Sequence, residues 1–118
     1  MPLWEDRADA WHDVAPGVRR RILAHEPGLM MVLYDLQPGT KFAAHAHPHL
    51  QAGVVLEGGG TFTIGGVATP LRKGSAYVVP GGVAHELLTV AQGPTVILDV
   101  FTPRREEFLS EALEPDRP

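Results

Sequence analysis

The 118-residue chain contains no cysteine, which excludes disulfide staples and thiolate metal sites together. Charge is sparse as well: Asp, Glu, Lys and Arg make up 20% of the residues, and the formal net charge is −4. No basic stripe runs along the chain. Its one run of three cations, Arg19-Arg20-Arg21, suits a solvated strand face better than a phosphate-binding surface, so nucleic acid is not an expected partner. No apolar run approaches the roughly 20 residues that a membrane-spanning helix needs. The opening MPLWEDRADAWHDV carries early acids and no apolar core. That is not the pattern of a secretory signal, and a cytoplasmic location is expected. Helical periodicity is nearly missing too, being confined to Arg104–Leu113 (RREEFLSEAL).

Glycine and proline are what the sequence has instead. The 13 glycines and 11 prolines occur with no low-complexity run, which predicts many short strands joined by turns rather than disorder. Strands are expected over Val18–Ala24, Leu29–Leu36, Lys41–Ala46, Ala52–Leu56 and Thr61–Ile64, and again over Val67–Leu71, Ala76–Val79, Glu86–Val90 and Thr95–Phe101. LMMVLYDL at 29–36 is nearly continuous in apolar residues and reads as a buried strand. Gly65-Gly66 marks a tight hairpin. Residues 1–16 read as an arm or edge strand, 17–103 as one β-barrel, and 104–118 as a short helix and tail. Thr102 stands as the helix cap ahead of Pro103, and the terminal Asp-Arg-Pro is expected to fray. An all-β sandwich or barrel of one domain follows.

The chemistry concentrates in two segments. In GTKFAAHAHPHLQAGVVLEG, His45 and His47 alternate, so on a strand both leave the same face, and Gln51 shares their parity. In GSAYVVPGGVAHELLT, a Pro80–Gly82 turn delivers His85 onto a new strand. Three imidazoles brought together from two hairpins suit zinc, iron, nickel, manganese or copper.

These segments resemble the two motifs of the cupin family. Gly39, His45, His47 and Gly58 fall on G-x5-H-x-H-x3,4-E-x6-G, with Gln51 where Glu is usual. Gly74, Pro80, Gly82 and His85 fall on G-x5-P-x-G-x2-H-x3-N, with Thr89 in place of Asn. The resemblance implies a double-stranded β-helix, or jelly-roll barrel, holding one divalent transition metal (Zn, Ni, Fe or Mn) through His45, His47, Gln51 and His85. An amide in place of a carboxylate leaves a cation more electrophilic, which favours Lewis-acid work on an anionic substrate. His49 is the alternative fourth ligand, because Pro48 disturbs the strand and parity does not decide.

Four further stretches, GVRRRILAHEPGLMMV, HAHPHLQ, VLEGGGTFTIGG and LDVFTPRREEFL, resemble the small KdgF-type cupins of pectin and alginate breakdown. That likeness implies ring opening and tautomerisation of 4,5-unsaturated monouronates to linear 5-keto-4-deoxyuronate. It implies an anionic sugar acid as the small-molecule partner and a homodimer as the assembly. Asp99 is the expected proton shuttle: TVILDVF places Ile97, Asp99 and Phe101 on one face, and a carboxylate in an apolar strand is costly unless exposed or paired. The family's active site includes the matching Asp and Phe. The plainer reading of Asp99 is a strand-end residue bonded to a turn amide. Phe101 reads as a ring-stacking wall or as core, and Arg105 as a grip on the substrate carboxylate or as a partner of Glu106 or Glu107. Trp4 and Trp11 read as packing in the arm or as a dimer contact. A small cupin dioxygenase and a non-catalytic metal- or ligand-binding cupin are the competing functions.

Overall fold

A computed structural model describes all 118 residues. The strands are β1 (His12–Ala15), β2 (Val18–Glu26), β3 (Leu29–Leu36), β4 (Lys41–His45), β5 (Leu50–Glu57), β6 (Gly59–Ile64), β7 (Val67–Arg72), β8 (Ala76–Val79), β9 (His85–Thr89) and β10 (Thr95–Thr102). They form two antiparallel sheets: six strands in the order β1-β2-β3-β10-β5-β8, and four in the order β4-β9-β6-β7. This interleaving of sequence-distant strands is the jelly-roll barrel expected from the two motifs. Gly65 and Gly66 both take positive φ at the β6–β7 hairpin, which only glycine does without strain in a two-residue loop.

Strand alternation builds the core. On β10 the buried residues are Thr95, Ile97, Asp99 and Phe101; on β3 they are Met30, Val32, Tyr34 and Leu36. The apolar run 29–36 is therefore not buried on both faces. Leu29, Met31, Leu33 and Asp35 point outward and are half-buried or exposed, because nothing within the chain covers the outer face of β3, β10, β5 and β8.

The arm of residues 1–16 holds a 3-10 turn at Ala8–Ala10 and the edge strand β1 on β2. Trp11 lies under the guanidinium groups of Arg19 and Arg21, 4.3 and 5.1 Å from its ring centre. The two ends of the chain are paired with each other. Leu3 pairs with Arg117, and the Trp4 indole donates to the Leu113 carbonyl at 2.9 Å.

The C-terminal helix differs from its expected form. It is a 3-10 helix over Glu106–Glu111, with Arg105 preceding it and no side-chain cap; Thr102 belongs to β10. The anchors explain the geometry. The Arg105 guanidinium stacks on Phe101 and Phe108, the Phe108 ring is buried, and Glu111 accepts a bidentate pair of bonds from Arg20 at 2.9 and 2.6 Å. These anchors recur every three residues, so three residues per turn brings all of them against the barrel.

Candidate metal centre and cavity

Each sheet contributes one half of the site. From the four-stranded sheet come His45, at the end of β4, and His85, at the start of β9, which face each other as register partners. The strand stops at His45, so His47 is carried by the β4–β5 connection rather than by strand alternation. From the six-stranded sheet come two inward-facing rows. Phe101 and Gln51 are neighbours in one row, and Asp99, Gly53 and Tyr77 lie side by side in the next. β5 begins at Leu50, two residues earlier than expected, and this places Gln51 on a strand with its side chain inside.

The three histidines converge, with one ring nitrogen from each lying within 4.8 Å of the others. His47 and His85 are buried and His45 is exposed at the mouth. Each imidazole is oriented through Nδ1 by a backbone carbonyl: His45 by Ala43 at 3.0 Å, His47 by His49 at 3.1 Å and His85 by Val83 at 2.9 Å. An Nδ1–H directed at a carbonyl leaves the Nε2 lone pair free, the tautomer a metal requires. Burial lowers the affinity of His47 and His85 for a second proton, and the nearby Arg105 charge adds to this.

Two features then call for a cation. His85 Nε2 is buried with no hydrogen-bond partner. His47 Nε2 lies 2.9 Å from Gln51 Oε1. A neutral imidazole has one N–H, so it cannot satisfy both the His49 carbonyl and the Gln51 oxygen. The Gln51 oxygen faces the histidines, and a shared cation turns two opposed lone pairs into a binding pair. The residues present fit a divalent transition metal. His49 is not among the three histidines whose ring nitrogens meet within 4.8 Å, although its own Nδ1 is also buried without a partner.

A cavity opens inward from this cluster, with Tyr34, Phe62, Tyr77, His85, Asp99 and Phe101 in its wall. Asp99 is 4% exposed and is not a strand-end residue bonded to a turn amide. Its Oδ1 accepts from the Tyr77 hydroxyl at 2.5 Å. Burial pushes its carboxyl up to about 7, against the opposing hydrogen bonds from Tyr77 and Gln51. The same burial, with the Asp99 charge alongside, holds the Tyr77 phenol well above its ordinary value and pushes Tyr34 up to about 12.

Phe101 is fully buried, and its ring lies edge-on to His47 at 5.5 Å, so it walls the cavity beside the histidines. Arg105 stands outside the cavity wall. Its guanidinium lies 5.0 Å from the Phe101 ring centre and 4.4 Å from that of Phe108, and its Nε is 3.3 Å from Glu107 Oε1. The ion pair with Glu107 is the plainer of its two sequence readings; its charge nonetheless acts on His47 and His85.

Sequence reasoning missed Tyr77 and Gly53. The alternation in Ala76-Tyr77-Val78-Val79 turns Tyr77 inward with the buried Val79. A glycine inside a strand is a sign of close approach by another group, and Gly53 was such a sign.

Comparisons agree with the architecture. The family model for the Cupin domain matches residues 32–101. The chain is 30% identical over 105 residues to the pectin degradation protein KdgF of Dickeya dadantii (strain 3937), covering 88% of this chain and 94% of that one. Among solved structures, KdgF from Halomonas sp. superimposes with a TM-score of 0.77 at 35% identity, over 83% of this chain and 89% of its own. An RmlC-like cupin from Shewanella frigidimarina NCIMB 400 superimposes with a TM-score of 0.80 at 28% identity, over 92% and 99%.

Proposed function

Because the chain belongs to the cupin family, and matches two KdgF proteins over most of their length, we propose that it opens 4,5-unsaturated monouronates to linear 5-keto-4-deoxyuronate. The observation that carries this reading is a buried carboxylate, Asp99, fixed in the same cavity wall as a histidine cluster suited to one cation. Such a pair is what an enol ether needs on its way to a ketone: a proton acceptor and donor beside a centre that bears developing negative charge.

In this reading His45, His47, Gln51 and His85 hold one divalent metal (Zn, Ni, Fe or Mn). When bound, it supplies Lewis acidity toward the oxygen atoms of the substrate. Asp99 takes the proton from the anomeric hydroxyl as the bond from C1 to the ring oxygen breaks, giving an aldehyde and an enolate. The same carboxyl then delivers that proton to C4 as the enolate becomes the 5-ketone. Atoms and electrons balance without an oxidant. A carboxyl held near neutrality serves both directions of transfer. Phe101 provides a flat wall for the ring, and Arg105 adds positive charge behind it that favours an anionic substrate. A monomeric sugar acid as substrate accords with a cytoplasmic site of action.

The test is proton NMR of unsaturated galacturonate with metal-replete protein. The C4 vinyl signal is expected to vanish well ahead of the spontaneous rate, and to persist at that rate with His45→Ala. No acceleration by metal-replete protein rejects this substrate class and leaves oxygen uptake and ligand binding as the activities to assay.

We also place a second copy of the chain on the outer face of the six-stranded sheet. Met31, Val100, Ala52 and Val78 form one outward row, and Leu33, Leu98, Val54 and Ala76 the next, with no charge among them. Leu50 is 46% and Val78 59% exposed. Monomers seldom leave so continuous an apolar surface in water. Sedimentation is expected to give a dimer for wild type and a monomer for Leu50→Glu combined with Val78→Glu; a monomeric wild type overturns the assignment.

A further inference from the structure

We propose that Tyr77 is the positioning residue for Asp99, reaching it across the one place in the middle strand that lacks a side chain. Tyr77 sits on β8, Asp99 on β10, and Gly53 of β5 lies between them as register partner of both. Strands are spaced about 4.8 Å apart, so residues two strands away do not touch unless a long side chain crosses the intervening one. Tyr77 makes that crossing, and its hydroxyl ends 2.5 Å from Asp99 Oδ1.

Gly53 is what permits it. A Cβ there would lie 2.2 Å from Asp99 Oδ1 and 2.4 Å from both Cζ and the hydroxyl oxygen of Tyr77. Any other residue would occupy the path of the hydrogen bond itself. Gly53 has no positive φ, so backbone conformation does not explain a glycine here, whereas the passage of the tyrosine does. The ring is braced from the opposite sheet by Phe62, edge-on at 4.6 Å between centres. The crossing is thus fixed at both ends: a packed ring on one side, a charge-bearing acceptor on the other.

Among the residues of this chain the consequence falls on Asp99. A carboxyl has a soft terminal torsion and can swing within its pocket. With Oδ1 tied to Tyr77 the group presents a fixed face to the cavity. Tyr77 thus positions the carboxyl without itself being a metal ligand.

The inference rests on the proposed function for its kinetic test, which compares wild type, Tyr77→Phe, Asp99→Asn and the double variant on unsaturated galacturonate. Tyr77→Phe keeps the ring and removes one hydrogen bond to a charged group. It is expected to lower kcat about tenfold or more with KM and metal content unchanged. In the Asp99→Asn background it is expected to cost almost nothing further, because the group it positions is gone. Full kcat in Tyr77→Phe, or a loss that multiplies onto Asp99→Asn, overturns the assignment.

A second readout does not depend on turnover. Proton NMR of the zinc-loaded protein is expected to show a slowly exchanging hydroxyl proton far downfield, absent from Tyr77→Phe and displaced in Asp99→Asn. If wild type opens no uronate, the functional reading fails alone and this resonance decides the pairing; its absence from wild type overturns the pairing. Gly53→Ala is expected to displace the same resonance if the variant folds, and an unshifted resonance there overturns the role given to Gly53.

Discussion

His85→Ala is expected to give a folded barrel that holds no stoichiometric metal and opens unsaturated uronates no faster than buffer. His85 begins β9 opposite His45 and is 3% exposed. Its Nδ1 is engaged by the Val83 carbonyl, while its Nε2 is buried with no partner in the chain. Such an atom is destabilising in the metal-free protein and becomes a ligand in the loaded one, so alanine costs the empty barrel little and the loaded barrel much. Groups that merely orient a ligand change metal affinity by about 10–100-fold; deleting a ligand from a set of four exceeds that range. Thermal melts separate the two states. Zinc at about 100 times its Kd should stabilise wild type by about 2.7 kcal/mol and leave His85→Ala unmoved. His49→Ala distinguishes the alternative ligand set. His49 contributes its backbone carbonyl to His47, which alanine preserves, so that variant should melt and bind zinc as wild type does. A zinc-induced shift retained by His85→Ala, or abolished by His49→Ala, would reject the assigned set.

Which parts of this arrangement are visible in the sequence depends on whether the physics is local. His45, His47 and His85 stand out because their spacings and glycine-proline turns are written in contiguous stretches. Asp99 stands out because a lone carboxylate in TVILDVF breaks an apolar alternation, and breaking it has a cost that needs a reason. Its partner is another matter. Tyr77 is 22 residues away from Asp99 in the chain, and their meeting depends on β5 lying between β8 and β10, a fact of sheet order that alternation does not encode. The same holds at the C-terminus. RREEFLSEAL has the composition of an α-helix, yet the spacing of its barrel contacts at Arg105, Phe108 and Glu111 sets a three-residue turn. Arg105 shows the limit for charged side chains: residue type alone fits both a substrate grip and an ion pair, and its placement beside Glu107 and over Phe101 is written in no local pattern.

Asp99→Asn is expected to keep its metal and lose about 10²–10⁴ of kcat, the usual contribution of a positioned proton donor and acceptor. Asparagine has nearly the same shape and can still accept from the Tyr77 hydroxyl, so packing is preserved while the transferable proton is removed. Stability should move in the opposite direction at neutral pH. In the metal-free barrel Asp99 is raised by burial to about 7, whereas an unfolded Asp titrates near about 3.9. Between those values the folded chain holds a proton that the unfolded chain has released. The Asp99 contribution therefore falls as pH rises through that window, and levels off above about 7. Melts of metal-free wild type and Asp99→Asn from pH 4 to pH 8 test this by difference, since every other titrating group is common to both. The variant should gain on wild type steadily toward neutral pH. Zinc should shrink that gain, because a nearby cation favours the ionised carboxylate and offsets the cost of burying it. Parallel curves in the metal-free proteins would mean that Asp99 is already ionised in the folded state, and a carboxyl so settled would be a poor donor to C4. The two measurements thus bear on one property: a carboxyl that strains the empty barrel is the carboxyl able to exchange a proton with substrate.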